Sequence, residues 1–296
     1  MYNSPLVKSF LPAATGIMAF VIWGLAPIYW KQISQISPLE LLGHRILWGC
    51  LCLFSLMMLK EGKSVFVELK EKGSRVLFLS SALIFANWYL FVWAVNNDHI
   101  LDASLGYYLT PLINVLSGYF LLKESMGPGK IIAVILAFVG VGFLFISNSG
   151  SPWISLLLSG TFSLYGFLKK KSNLSAESAL LFEMLVWTLP VLCYFVYLGT
   201  NNQLAFLQLS PSTSFYVFCA GVVTITPLWL FNTAVKKLDL GTVGFLQFLA
   251  PSLQLVVGVF LFKESFEIER LISFGLIWIG IIVYSIESYS LRKKAI

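Results

Sequence analysis

One stretch of this sequence occurs twice: Leu109-Thr-Pro-Leu-Ile-Asn-Val-Leu-Ser-Gly-Tyr-Phe-Leu-Leu-Lys-Glu-Ser125, and 140 positions later Leu249-Ala-Pro-Ser-Leu-Gln-Leu-Val-Val-Gly-Val-Phe-Leu-Phe-Lys-Glu-Ser265. Eight of the 17 positions are identical, and they include a proline, a glycine and the terminal Lys-Glu-Ser. Chance similarity between apolar helices matches a few Leu or Val residues, but not this combination. The sequence therefore predicts an internal duplication with a shift of about half the chain.

The composition around this repeat is that of a membrane protein. The 296 residues are 58% hydrophobic and 11% charged, with a mean hydropathy of +0.83. An ordinary soluble domain carries about 25% charged residues. The chain has too few polar residues to cover a soluble fold, so the bilayer must serve as its solvent. The net charge of +6 comes from short basic clusters without interleaved aromatics, which argues against a nucleic-acid partner.

Ten apolar windows, each of about 17 to 22 residues, are long enough to cross a hydrocarbon core as helices. The windows are residues 11–30, 38–59, 76–95, 101–122, 128–147, 152–168, 177–198, 214–235, 241–262 and 268–289. The predicted fold is therefore an all-α, multi-pass integral membrane protein. We expect residues 1–147 to form a first five-helix repeat and residues 148–296 a second one, both within a single transmembrane domain.

The charges between the windows orient the chain. With a cytoplasmic N terminus, 16 of the 20 Lys and Arg residues fall on the cytoplasmic side, three face outward, and Arg45 lies inside a span. The 16 are Lys8, the five of residues 60–75, Lys123, Lys130, the three of residues 169–171, Lys236, Lys237 and the three of residues 292–294. This positive-inside bias predicts that both termini are cytoplasmic.

The repeat shift corresponds to five spans, which is an odd number. The second copy must therefore lie upside down relative to the first, as in the inverted repeats of many carriers. Two such halves can each open toward one side, so that rocking them exposes an interface site alternately to the two sides.

Charged residues inside the predicted spans are few, and each is costly at the bilayer centre unless it faces a partner or a wet cavity. His44 and Arg45 lie in the second span, and the repeat places Glu183 of the seventh span opposite His44. Counting along the helices leaves roughly 10 Å between His44 and Glu183 along the membrane normal, so we do not expect them to pair directly.

Two interpretations of these three residues remain open. Arg45 is expected to bind an anionic group of a substrate, while Glu183 or His44 is expected to exchange a proton. The alternative is that Arg45 and His44 extend toward the interface or cap the ends of neighbouring helices, and that Glu183 bonds a facing helix.

Amide and aromatic side chains at membrane depth complete the candidate translocation site. They are Asn87, Trp88, Tyr107, Tyr108, Asn114, Gln247 and Gln254. Asn114 and Gln254 are repeat mates that follow the paired prolines, where a proline frees a backbone carbonyl. The alternative is that the amides only join helices and that the aromatic residues anchor the chain at the interface.

Motifs of other protein classes are missing from the sequence. There is no GxxxxGK[ST], no HExxH and no GxSxG, and His44 and His99 are far apart in sequence. The four cysteines have no metal or redox spacing and are interpreted as packing residues. We therefore expect no enzyme, no ATP-driven motor, no cofactor and no metal. A receptor, a scaffold or an embedded enzyme without transport activity remains the alternative.

Six segments resemble a known family. They are Ile22-Trp-Gly-Leu-Ala-Pro27, His44-Arg-Ile-Leu-Trp48, Asn87-Trp88, Trp93-Ala-Val-Asn-Asn97, Ala103-Ser-Leu-Gly-Tyr107 and Gly244-Phe-Leu-Gln-Phe248. Together they are similar to the RarD type of the EamA branch of the drug/metabolite transporters. The resemblance covers nearly the whole chain. It implies ten spans in a five-plus-five inverted fold, a bacterial inner-membrane location and usually an exporter role.

These observations favour a secondary transporter. Its expected task is to move a small amphipathic metabolite or drug-like molecule by alternating access, with a proton as the candidate coupling ion. The substrate and the direction of transport stay open, and so does the choice between a monomer and a homodimer.

Overall fold

The computed structural model describes residues 5–61, 75–97, 99–147, 151–263 and 268–294. Throughout these ranges the regular secondary structure is helical, which confirms the all-α prediction. The α-helices are α1 (Pro5–Trp30), α2 (Pro38–Glu61), α3 (Arg75–Asn96), α4 (Ile100–Leu122), α5 (Pro128–Ser147), α6 (Pro152–Lys171), α7 (Ala176–Thr200), α8 (Pro211–Lys237), α9 (Leu240–Gln247), α10 (Leu249–Val256) and α11 (Ile268–Lys294). Short 3-10 turns occupy Lys31–Ile33 and Ala205–Gln208. Much of the basic 60–75 loop lies outside the described residues.

Nine helical segments of the described chain are long and apolar enough to cross a membrane. They coincide with nine of the ten predicted windows; the exception is α6, predicted over residues 152–168. Its hydropathy is lowered by several hydroxyl residues and by three lysines at its end. The hydroxyl groups serve the packing of α6 on α4, because Ser155 Oγ donates to Asp102 O at 2.6 Å and Ser163 Oγ donates to Thr110 O at 3.3 Å. Polarity on this helix is thus buried against protein instead of lipid.

The ninth span is interrupted. It consists of α9, α10 and a π-helical turn at Val257–Leu261. Pro251 lacks an amide hydrogen and its ring would clash with the carbonyl four residues earlier, which weakens the helix at Gln247, where α9 ends. The repeat mate Pro111 lies inside the continuous helix α4. The two copies therefore differ in shape at the same proline.

Equivalent helices of the two halves pack against equivalent neighbours. Under the repeat, α1 corresponds to α6, α2 to α7, α3 to α8, α4 to the ninth span and α5 to α11. Helix α1 packs against α8 and α10, and its mate α6 packs against the corresponding α3 and α4. Helices α2, α4 and α5 each pack directly against their own mates. This pattern is that of two interleaved, related halves.

Contacts along these pairs give the relative directions of the helices. They are Gly16 with Leu246 and Gly24 with Leu253 (α1 and the ninth span), Pro111 with Gly244 and Gly118 with Gly241 (α4 and α9), and Gly106 with Leu158 and Thr110 with Ser163 (α4 and α6). Helix α1 thus runs parallel to the ninth span, which is antiparallel to α4, and α4 is parallel to α6. Helix α1 and its mate α6 therefore run in opposite directions. The division at residues 147 and 148 stays a prediction, because residues 148–150 lie outside the described ranges.

The repeated Lys-Glu-Ser motif ends a helix. Lys123 and its mate Lys263 both have a left-handed backbone, with φ angles of 57° and 60°. After Lys123, the Glu124 carboxylate accepts hydrogen bonds from Leu240 N at 2.7 Å and Gly241 N at 3.0 Å. It thereby caps the N terminus of α9, where an anion is favourable. Glu264 and Ser265 of the second copy lie outside the described residues.

Candidate functional site

A cavity of about 360 Å³ lies between helices of both halves. Its size is within the range of small-molecule sites. Most of its lining is apolar and aromatic. The lining residues are Phe20, Trp23, Ala26, Pro27, Trp30, Arg45, Asn87, Trp88, Phe91, Ser104, Tyr107, Thr110, Phe162, Val223, Thr224, Leu228, Gln247, Ala250, Pro251 and Gln254. The cavity is therefore an interface of the first, second, third, fourth, sixth, eighth and ninth spans.

The cavity lies toward one end of the bundle. Helix α1 contributes residues from its C-terminal half and α4 residues from its N-terminal half. Because α1 and α4 run in opposite directions, these halves lie at the same end, which we call the cavity end. The other end holds Lys123 and the lysines of residues 169–171, and we call it the lysine end.

Arg45 is the charged member of the lining. Its Nε donates a hydrogen bond of 2.9 Å to Thr224 Oγ1 on α8. The guanidinium carbon lies 4.9 Å from the ring centre of Trp30 and 5.4 Å from that of Trp88, within the range of cation–π contacts. These contacts hold the guanidinium at the wall of the cavity.

Two predicted amides line the cavity and also join helices. Asn87 Nδ2 donates to Leu158 O at 2.8 Å and to Thr161 Oγ1 at 2.9 Å, both on α6. Gln254 Nε2 donates to the Trp23 carbonyl at 3.2 Å. Both amides therefore join helices and also face the cavity, and their role in translocation stays a prediction.

Three other predicted residues lie on α4 at different depths. Tyr107 lines the cavity. Asn114 is fully buried toward the lysine end, where its amide donates to Gln247 Oε1, and Gln247 itself lines the cavity. Tyr108 packs edge-on against Phe274 of α11, with ring centres 5.4 Å apart, and is absent from the lining.

His44 is buried beside the cavity without lining it. Its ring centre lies 4.6 Å from those of Phe195 and Phe206, and its Nε2 lies 3.8 Å from Glu40 Oε1. The Glu40 carboxylate accepts hydrogen bonds from Ala205 N at 3.2 Å and Phe206 N at 2.9 Å. These contacts tie α2 to the segment that follows α7.

Glu183 is the centre of a separate buried network. Lys169 Nζ lies 2.6 Å from its Oε1, Ser80 Oγ donates to the same oxygen at 2.8 Å, and Tyr165 OH donates to Oε2 at 3.2 Å. Asn232 completes the group through Tyr165 OH at 3.2 Å. The network joins α3, α6, α7 and α8.

Lys169 is the main residue that the sequence analysis missed. It was assigned to the basic cytoplasmic loop, yet its side chain is fully buried. The signal that could have found it was Glu183 itself, because a carboxylate at membrane depth needs a partner. Lys169 also lies one helical turn after Tyr165, on the same face of α6.

Four aromatic side chains lie between the cavity and the buried network around Glu183. We call Phe20, Trp23, Phe162 and Phe231 the aromatic floor. The ring centres of Phe20, Trp23 and Phe162 lie 6.1, 5.8 and 5.3 Å from that of Phe231. The Tyr165 ring stacks against Phe231 on one side, while its hydroxyl reaches Glu183.

A helical membrane fold whose two related halves run in opposite directions, with a cavity between them, is typical of a membrane transporter. The profile of the EamA-like transporter family matches this chain twice, at residues 11–146 and 148–286. The chain belongs to the EamA-like transporter family.

Individual relatives agree with this assignment and with the RarD-type resemblance. An uncharacterized transporter of Pseudomonas aeruginosa is 40% identical over 288 residues, which cover 94% of each chain. Protein RarD of Escherichia coli is 32% identical over 281 residues, covering 94% of this chain and 95% of that protein. A solved crystal structure matches with a TM-score of 0.72 at 16% identity, covering 95% of this chain and 98% of the other, which shows the shared fold alone.

Proposed function

We propose that this protein is a secondary transporter that exports a small amphipathic molecule across the bacterial inner membrane by alternating access. The proposal rests on a comparison of residue pairs between α4 and the ninth span, which are repeat mates and pack against each other. Two such pairs are in contact, whereas the two pairs that the repeat makes equivalent to them line the cavity.

At the lysine end these two elements are in contact. Gly244 packs so closely on α4 that an added Cβ would lie 2.6 Å from the Pro111 carbonyl oxygen. The Asn114 side chain donates a hydrogen bond to Gln247. These contacts close the lysine end below the cavity.

At the cavity end the equivalent positions are part of the cavity wall. The shift of 140 relates the contact of Pro111 with Gly244 to positions 251 and 104. It relates the bond between Asn114 and Gln247 to positions 254 and 107. Ser104, Tyr107, Pro251 and Gln254 all line the cavity. The same pairs that close one end thus face the open space at the other.

A rocking motion that exchanges the roles of the two halves would bring Tyr107 to Gln254 and separate Asn114 from Gln247. It trades one hydrogen-bonded pair for another of similar kind. Since the net contribution of one such bond is about 0.5–1.5 kcal/mol, this exchange by itself changes the free-energy difference between the two states by no more than that amount.

The orientation of the chain is proposed from the positions of its lysines, and the kind of substrate from the residues that line the cavity. The lysine end is assigned to the cytoplasm by the positive-inside rule, so the cavity described here opens outward. Its aromatic walls suit an apolar body, and Arg45 with the amides suits a polar group. An exporter role is inferred from the family resemblance.

The alternating-access proposal is tested by cross-linking in membrane vesicles. The four native cysteines are first replaced by serine. We then introduce Asn114→Cys with Gln247→Cys to capture the present state, and Tyr107→Cys with Gln254→Cys to capture the opposite one. Asn114→Cys with Gln254→Cys, whose positions lie at different depths, serves as the unreactive control.

Both test pairs should form disulfides, as measured by mass spectrometry, and the control should not. If only Asn114→Cys with Gln247→Cys reacts, the cavity end does not close. Alternating access is then rejected, and a receptor or scaffold becomes the better explanation.

A further inference from the structure

The cavity wall carries a cation without a counter-charge. Arg45 is the charged residue of the lining, and within the described ranges no carboxylate forms an ion pair with it. The buried carboxylates are engaged elsewhere. Glu40 contacts His44 and the 3-10 turn at Ala205–Gln208, Asp102 contacts His99, and Glu183 contacts Lys169.

The contacts of Arg45 compensate its charge only in part. An unpaired guanidinium at membrane depth is unfavourable, and it persists only when it faces a wet cavity or a partner. The indole rings of Trp30 and Trp88 provide cation–π attraction, but neither ring carries a formal negative charge. An anion in the cavity would supply the missing charge.

In the described part of the chain, two of the three guanidinium nitrogens of Arg45 are free to bind a ligand. Nε is bound to Thr224, while Nη1 and Nη2 have no hydrogen-bond partner among the residues that the structure describes. A guanidinium binds a carboxylate in a planar fork through two N–H groups. Because Nε is held by Thr224, Nη1 and Nη2 form a preorganised pair of donors from which one carboxylate can accept two hydrogen bonds.

The rest of the lining narrows the class of ligand. Trp23, Trp88, Phe91 and Phe162 offer a large aromatic surface for an apolar body. The lining contains no Asp or Glu that would balance an ammonium group. A single cation also leaves the second charge of a dianion without a partner.

Resting on the transport function proposed above, we infer that the substrate is an organic monoanion, with one carboxylate on Arg45 and an aromatic or aliphatic body against the indole and phenyl rings. A zwitterion or an organic cation fits this site less well. The inference gives the cargo a chemical class and makes Arg45 its specificity-determining residue.

The test uses matched probes on the purified full-length protein in phosphatidylcholine nanodiscs. The probes are 3-phenylpropanoate, its neutral amide 3-phenylpropanamide, and 3-phenylpropylamine in its ammonium form. Affinity is read from the quenching of intrinsic tryptophan fluorescence. The carboxylate should bind at least tenfold more tightly than the amide and the ammonium.

Three variants test whether Arg45 causes the preference for the carboxylate over the amide. Arg45→Gln should remove the preference for the carboxylate over the amide while the amide still binds, which shows that the cavity has folded. Arg45→Lys, which keeps the charge but loses the fork, should retain only part of it. Lys31→Met removes an exposed positive charge outside the lining and should leave the preference intact.

Three outcomes overturn the inference. One is a carboxylate that binds no more tightly than its amide, or not at all, and another is a preference that survives Arg45→Gln. The third is loss of the preference in phosphatidylglycerol nanodiscs, which would identify a lipid headgroup as the anion. None of them bears on the cysteine cross-links, so alternating access can fail or stand separately.

Discussion

Single residues set the distance between helices α2 and α8. A Cβ added to Gly221 would clash with Gly49 N and with the carbonyl carbon of Trp48, and both atoms are backbone. This close approach brings Arg45, one turn before Gly49, within hydrogen-bond distance of Thr224. At the residue scale, a glycine at a helix crossing therefore positions the charge of the cavity.

Gly221→Ala should destabilise the protein by about 1–3 kcal/mol, because the backbones of α2 and α8 must move apart to admit the methyl group. It should also weaken the binding of 3-phenylpropanoate, since Thr224 moves with α8. Thermal unfolding in detergent and tryptophan quenching measure the two effects.

Gly142→Ala is the matched control for this substitution. A Cβ at Gly142 meets nothing within 4 Å, and alanine is the better helix former. Its stability should be unchanged or higher. An equal loss of stability in both variants would show that the crossing of α2 and α8 is not tightly packed.

At the scale of elements, α6 holds the lysine end together. Its Lys169 and Tyr165 reach Glu183 on α7, and Glu183 also accepts from Ser80 on α3. The two charged side chains are each 1% exposed. A buried ion pair of this kind is sensitive to the loss of one partner, yet removal of both is often tolerated.

Glu183→Gln alone should destabilise the protein by about 3–5 kcal/mol, because it leaves the Lys169 ammonium buried without a counter-charge. The double variant Lys169→Met with Glu183→Gln removes both charges and should recover most of that stability. Thermal unfolding of the two proteins compares them.

The same double variant tests proton coupling. If Glu183 carries the proton, uptake of 3-phenylpropanoate into proteoliposomes should lose its dependence on a pH gradient in the folded double variant. Undiminished coupling there would reject Glu183 as the proton carrier and leave the pair a structural role.

At the scale of the whole molecule, two equivalent halves adopt unequal arrangements. Asn114 and Gln247 are joined at the lysine end, while Tyr107 and Gln254 face the cavity. Changes at these positions should therefore shift the balance between outward-open and inward-open states in opposite directions.

Asn114→Ala should weaken closure at the lysine end, and Tyr107→Phe should weaken closure at the cavity end. Loss of one hydrogen bond, about 0.5–1.5 kcal/mol, changes the ratio of the states by roughly 2- to 12-fold. The readout is the rate at which a membrane-impermeant maleimide labels Ser104→Cys in the cysteine-free background. Labelling should slow with Asn114→Ala and accelerate with Tyr107→Phe. A change in the same direction in both variants contradicts the exchange of pairs.

Several members of the candidate site followed from polarity at membrane depth alone. Arg45, Asn87, Trp88, Tyr107, Gln247 and Gln254 were predicted in this way and all line the cavity. His44 and Glu183 are equally polar, but they lie in packed surroundings outside the lining. Polarity thus identified residues that face other helices. It did not distinguish residues that line the cavity from residues that belong to a buried network.

The sequence by itself determined the membrane location, the helical class and the inverted pairing of the halves. These follow from composition and from the recurrence of Pro111 and Gly118 at an odd number of spans. Only the tertiary structure decided that Lys169 turns inward to Glu183, that Tyr108 faces α11 and that Asn114 bonds to Gln247. The physical reason is that lipid and protein interior are both apolar, so hydrophobic periodicity does not fix the rotation of a membrane helix. That rotation is set by packing between helices distant in sequence.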